Sequence, residues 1–134
     1  SERRNYCEKV NSYIQKHYLE SPQMEFLANK FGYDGNAQML RRDFIRYYGT
    51  TPAAISKIKK LEEAKRLLAT TTYSMKEIAI KLKYKSHTHF GMDFKNNTGM
   101  TPAEYRKAIK AKREKQMNTK DYQMNLKDYL AKMC

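Results

Sequence analysis

Apolar residues recur at helical spacing along nearly the whole chain, in short runs divided by recognisable caps and breaks. Residues 3–19 form an amphipathic stripe of Tyr6, Val10, Tyr13, Ile14 and Tyr18. Ser21-Pro22 reads as the N-cap and first position of a second helix, which buries Met24, Leu27, Ala28 and Phe31. Gly32-Tyr33-Asp34-Gly35 is a turn, and Asn36 caps a helix over 37–48 that buries Leu40, Phe44 and Tyr47. Residues 52–70 continue as one long helix with a stripe of Ile55, Ile58, Leu61, Ala64 and Leu68. Ser74 then caps another, and Glu77 completes a capping box ahead of Met75, Ile78, Ala79 and Leu82 on one face. Lys83-Tyr84-Lys85 breaks the pattern, and Ser86 caps a helix carrying Phe90, Phe94 and Asn97 or Thr98. Gly99 ends it, and Thr101-Pro102 with Glu104 opens the next.

The layout occurs twice. Gly49-Thr50-Thr51-Pro52-Ala53 matches Gly99-Met100-Thr101-Pro102-Ala103. Phe44 matches Phe94, Leu40 matches Phe90, and Leu27-Ala28 matches Ile78-Ala79 with one residue of slip. The repeat is a helix-turn-helix recurring at about 50 residues, and it fixes the architecture. The helix that starts at Pro52 joins the copies; about 19 residues at about 1.5 Å rise make a rod of roughly 28 Å, close to the roughly 34 Å of one duplex turn.

Towards the end, 101–117 reads as a last helix, and Asn118-Thr119 reads as a break. Residues 121–133 then place Tyr122, Leu126, Tyr129, Leu130 and Met133 at helical spacing. So short a helix is stable only if its apolar face docks. Its own domain is the expected dock, with a partner or a second copy as the alternative.

Charge adds a partner to this architecture. The 134 residues hold 27 basic and 14 acidic side chains, a formal net charge of +13. An excess of that size suits a polyanion: nucleic acid first, an anionic membrane surface second. The helix over 37–48 turns Gln38, Arg41, Arg42 and Ile45 outward at i, i+3, i+4 and i+7. Arginine pairs bidentately with guanine and glutamine with adenine, so this face suits base edges in a major groove. The matching positions in the second copy are Thr88, Gly91, Met92 and Lys95, with His87 beside them. There the glycine permits close backbone approach, the methionine offers apolar contact to a thymine methyl, and the lysine suits a phosphate. The first helix is therefore expected to read bases more strictly than the second.

Other chemistries are expected to be absent. His87 and His89 stand at i and i+2, on different helical faces, and His17 is the only other histidine. With no Cys-x-x-Cys besides, no metal site is expected. No glycine-rich phosphate loop, nucleophile elbow or apolar carboxylate pair points to an enzyme or a cofactor. No run of about 18 apolar residues suggests a membrane span. Cys7 and Cys134 read as two reduced thiols of a cytoplasmic, nucleoid-associated protein.

These residues together resemble the DNA-binding domain of the AraC/XylS family of bacterial transcription regulators. In the second copy the likeness rests on Ile78-Ala79, Tyr84, Ser86, Phe90, Phe94-Lys95, Gly99, Thr101-Pro102 and Tyr105-Arg106. The first copy contributes Leu27-Ala28, Gly32-Tyr33, Leu40, Arg42, Phe44 and Gly49, with Ala64, Leu67 and Leu68 between, so that the likeness covers about residues 6–110. It implies promoter binding, commonly by an activator that contacts RNA polymerase, with a recognition helix in each of two lobes. Carried over residue by residue, it implies base contacts from Gln38, Arg41, Arg42, His87, Thr88 and Met92. Phosphate contacts are expected from Lys85, Ser86, Lys95 and Arg106. Two departures from the family pattern stand out. The turn around Asp34-Gly35 is about two residues longer than usual, which is expected to tilt the first recognition helix. Lys83 stands where the family usually has glycine, so that break is made without glycine's freedom at positive φ, or with strain.

The fold expected is all-α: two homeodomain-like helix-turn-helix subdomains (3–50 and 71–117) joined by a linker helix (51–70), about seven helices, and a C-terminal extension (118–134). The function expected is sequence-specific binding of double-stranded DNA in successive major grooves. The alternative is a basic protein that binds nucleic acid or membrane surfaces without sequence preference. Because family members often carry an N-terminal sensing domain, and the chain starts at Ser1, it is expected to be the C-terminal piece of a longer regulator. A free-standing single-domain regulator is the alternative there.

Overall fold

The structure, a computed structural model, describes the backbone of residues 2–133 and the side chains of 2–117, 130 and 131. The described residues form helices and connections only. The order is α1 (Glu2–His17), a 3-10 turn (Tyr18–Glu20), α2 (Met24–Lys30), α3 (Ala37–Tyr48), α4 (Pro52–Thr70), α5 (Met75–Lys81), α6 (His87–Thr98) and α7 (Pro102–Met133).

Two cores hold these helices. Cys7, Val10 and Ile14 of α1 pack with Leu27, Ala28, Tyr33, Leu40 and Phe44. Leu61, Ala64, Leu67 and Leu68 of α4 pack with Ile78, Ala79, Leu82, Phe90 and Phe94. The positions Cys7, Val10 and Ile14 recur in spacing as Leu61, Ala64 and Leu68. So α4 does more than connect: it stands in the second unit where α1 stands in the first, and its Ile55 also packs on the first core. Each unit is a three-helix cluster around a fully buried pair, Leu40 with Phe44 or Phe90 with Phe94. Each such side chain contributes on the order of 1.5–3 kcal/mol by leaving water.

The caps expected at Asn36, Ser74, Ser86 and Thr101 form, and Thr51, the repeat partner of Thr101, caps α4 likewise. Asn36, Thr51, Ser74, Ser86 and Thr101 each accept a hydrogen bond from the backbone N–H three residues on. Ser21 does not cap α2. Its backbone closes the 3-10 turn by donating to Tyr18 O (3.1 Å), and α2 begins at Met24 behind Gln23. Two expected core positions are exposed as well. Tyr47 is 38% exposed, while Tyr48 packs on Phe44 with ring centroids 4.7 Å apart. Ile58 is 52% exposed: it lies two and a half turns from buried Leu67, on the opposite side of α4.

The break expected at Asn118-Thr119 is absent, since α7 runs through it to Met133. Neither residue stops a helix as glycine or proline would; each costs a few tenths of a kcal/mol to roughly 0.7 relative to alanine. Of the residues expected to dock, Leu130 is exposed. The side chains of Tyr122, Leu126, Tyr129 and Met133 lie outside the described residues.

Candidate nucleic-acid interface

In each unit a short helix, a turn and a cap place the outer helix. Both short helices end in the same backbone device. In α2, Tyr33 N donates to Ala28 O; in α5, Lys83 N donates to Ile80 O and Tyr84 N to Ala79 O. This closure needs a left-handed residue after the helix. Gly32 supplies it in the first unit at φ 93°, where a Cβ would come within 2.8 Å of the Tyr6 ring. Lys83 supplies it in the second at φ 61°. The strain expected of a non-glycine there is thus present, a cost of about 1–2 kcal/mol, and Lys83 Nζ meets Glu20 Oε1 at 2.8 Å. Two residues separate Tyr33 from Asn36, and one separates Tyr84 from Ser86. The longer turn is accommodated by consecutive left-handed residues, Asp34 at φ 50° and Gly35 at φ 79°.

With the helices so placed, Gln38, Arg41, Arg42 and Ile45 are exposed together on α3, with Arg46 one turn beyond Arg42. On α6, His87, Thr88, Met92 and Lys95 are exposed; Met92 is 61% accessible. Lys85 and Ser86 stand at the entry to α6, and Ser86 Oγ accepts from His89 N at 3.0 Å. Gly91 lies among them, and a Cβ built on it would meet nothing within 4 Å. No contact inside the protein therefore requires glycine at that position.

Arg106 is placed apart from this surface set. Its Nε donates to Leu68 O (3.1 Å) and its Nη2 to Thr71 O (3.3 Å), while Arg113 donates to Ala69 O. Two cations from α7 thus satisfy the last carbonyls of α4, where the helix dipole favours positive charge. This tie between α4 and α7 had no signal in the local spacing.

Each unit also holds a polar latch behind its outer helix. Tyr33 Oη donates to Asp43 Oδ2 at 2.7 Å, with Arg3 Nε 3.7 Å from the same oxygen. Tyr84 Oη donates to Asp93 Oδ2 at 2.8 Å, with Lys57 Nζ 2.7 Å from Oδ1. Burial and these bonds push both phenols above the usual tyrosine range. Arg3 and Lys57 occupy equivalent places on α1 and α4, so the latch is part of the repeat. It ties the inner side of each outer helix to the preceding turn and to the first helix of its unit. Both ends of the latch carried a signal in sequence, because Asp43-Phe44 shares a register with Asp93-Phe94, and Tyr33 matches Tyr84 with the same one-residue slip as Leu27-Ala28 and Ile78-Ala79; that the tyrosine reaches the aspartate did not.

A family model described as a helix-turn-helix domain matches residues 27–108, most of both units. The chain belongs to the AraC-type helix-turn-helix family. Among AraC-type relatives, it is 33% identical over 100 residues to the uncharacterized HTH-type transcriptional regulator YisR of Bacillus subtilis, covering 75% of this chain and 34% of that one. With the HTH-type transcriptional regulator MtrA of Neisseria gonorrhoeae it shares 32% over 102 residues, 74% of this chain and 33% of that one. The chain thus spans about a third of the length of these curated relatives. Among solved AraC-type structures it is similar to the DNA-binding domain of AdpA in complex with a target DNA. The two share 27% identity and a TM-score of 0.71, covering 81% of this chain and 96% of that one. The C-terminal domain of the response regulator yesN from Fusobacterium nucleatum is also similar, at 28% identity and a TM-score of 0.67, covering 76% of this chain and 98% of that one.

Proposed function

We propose that this chain is the DNA-reading part of a bacterial transcription regulator, binding specific sites in double-stranded DNA with α3 and α6 in successive major grooves. The observation that carries the reading is the in-register duplication: two three-helix units, each offering one outer helix with an exposed face of base- and phosphate-compatible side chains. The net charge of +13 supports it, as does the AdpA domain solved with its target DNA. Base contacts come from Gln38, Arg41 and Arg42 in the first unit and from His87, Thr88 and Met92 in the second. Lys85, Ser86 and Lys95 meet phosphates. Arg106, committed to the end of α4, acts through the fold. Activation through RNA polymerase belongs to the same proposal and draws on family membership. So does the assignment of the chain to the C-terminal part of a longer protein in the cytoplasm; among the described residues no helix is long and apolar enough to cross a membrane.

Selection of bound duplexes from random DNA tests the reading. The expected product is two short segments centred about one helical turn apart, roughly 10 base pairs, not related as a palindrome because one chain carries both readers. Inserting about five base pairs between them turns one segment to the opposite face of the duplex and should abolish the benefit of the second. No enriched sequence, or affinity indifferent to the insertion, would refute the two-groove reading.

A further inference from the structure

The two units enclose a solvent-open cleft of about 580 Å³, with Pro22 on one wall, Lys83, Lys85 and His89 on the other, and Lys57 and Lys60 of α4 between. Its charges do not balance. Four lysines face two carboxylates, Glu20 and Asp93. Glu20 is taken by Lys83 at 2.8 Å and Asp93 by Lys57 at 2.7 Å. Among the described residues, Lys60 and Lys85 have no ion-pair partner. Lys60 is half-buried, with its Nζ 5.1 Å from the centre of the Tyr84 ring. Burial lowers the affinity of that amine for its proton below the usual lysine range. Asp93 and Glu20 act on it only from beyond ion-pair distance, each already held by another lysine, and a half-buried ammonium so placed is costly to keep unless something anionic arrives.

The position of the cleft narrows what arrives. Lys85 and His89 lie at the start of α6, on the α4 side of the outward residues Thr88 and Met92. On one face of a duplex the minor groove and its two bordering strands lie between successive major grooves, so a duplex laid along α3 and α6 brings sugar-phosphate backbone over the gap between the two units. Ammonium groups on flexible stems are point-charge phosphate ligands.

We propose that this cleft seats one backbone phosphate of the strand running between the two recognised segments, held by Lys60 and Lys85. The inference rests on the two-groove reading above. The readers each fix a segment; the seated phosphate fixes the phase between them.

The experiment uses the duplex selected above, with single neutral methylphosphonate linkages placed in turn along the spacer. Wild-type protein should show one linkage whose neutralisation weakens binding more than its neighbours do. Lys60→Met keeps the aliphatic stem against Tyr84 and removes the charge. It should erase that one penalty and lower the salt slope by about one phosphate, so that affinity lost between 50 and 200 mM salt shrinks by about 3.5-fold. Base preference in both segments should persist, and Lys60→Gln should act in the same direction if Lys60→Met folds poorly. An unchanged penalty profile and salt slope in both variants, with both segments still selected, would overturn the cleft assignment alone. Loss of all base preference in the wild type would remove the two-groove reading and this proposal with it. Inorganic pyrophosphate that shifts the Lys60 and Lys85 resonances while the DNA complex stays intact would also overturn it, by showing the cleft vacant on DNA.

Discussion

The two units share a backbone plan and differ in how each detail is met. The first closes its short helix with Gly32, allows its turn an additional residue, and offers Gln38, Arg41 and Arg42 outward. The second closes with a strained lysine, uses a shorter turn, and offers Thr88, Gly91 and Met92. Their latches differ too. Arg3 stands 3.7 Å from Asp43, whereas Lys57 stands 2.7 Å from Asp93. Lys57 belongs to α4, which is tied to α7 at its far end and packed against α1. The second reader is thus fixed to the helix common to both cores, and the first to a helix at the start of the chain. One fold thus carries two different outer faces, one with the hydrogen-bonding side chains Gln38, Arg41 and Arg42 and one with Thr88, Gly91 and Met92.

The largest test of this comparison is in the cores. Phe44→Ala and Phe94→Ala should each cost about 3–5 kcal/mol, since both rings are fully buried. Because α4 joins both cores, thermal unfolding of either variant followed by tryptophan-free probes (circular dichroism and tyrosine fluorescence) should stay a single transition. Two separated transitions would mean that the units are stable independently.

Next comes the division of labour between readers. Arg41→Ala or Arg42→Ala should lose about 1–3 kcal/mol on the selected site and relax base preference in one segment. Met92→Ala should lose less. Equal losses measured by titration on the same duplex would erase the distinction between a polar and an apolar reader.

The latches predict a smaller asymmetry in stability. Tyr33→Phe removes the short bond to Asp43 and leaves only the longer Arg3 pair, so a loss of about 1.5–3 kcal/mol is expected, typical of a hydrogen bond to a charged group. Tyr84→Phe leaves Asp93 held by Lys57 and should lose less. Denaturant titration of the two variants decides it; a larger loss in Tyr84→Phe would reverse the ranking of the latches.

The smallest expected effect has opposite signs for folding and binding. Gly91→Ala should stabilise the protein by about 0.5–1 kcal/mol, the helical advantage of alanine, because nothing in the protein crowds that site. On DNA the same methyl group should weaken binding. If affinity holds or rises, the second reader does not approach its groove as closely as Gly91 permits.

Much of this was legible in the chain itself. Caps at Asn36, Thr51, Ser74, Ser86 and Thr101, stops at Gly49 and Gly99, and the paired spacing of Leu40 with Phe44 and Phe90 with Phe94 are local signals. They depend on backbone donors and side chains a few residues apart, so sequence determines them directly. That α4 repeats α1, that Tyr33 and Tyr84 reach Asp43 and Asp93, and that Arg106 and Arg113 close the end of α4 depend on which helices lie side by side. Ile58 carries the same lesson: an apolar residue at helical spacing is buried only if another helix covers that arc, and Ile58 is 52% exposed. Asn118-Thr119 shows the converse, since without glycine or proline a polar pair leaves the helix free to continue. Local hydrogen bonding was written in the sequence; the pairing of faces, and with it the latches and the lysines left unmatched between the units, was decided by tertiary packing.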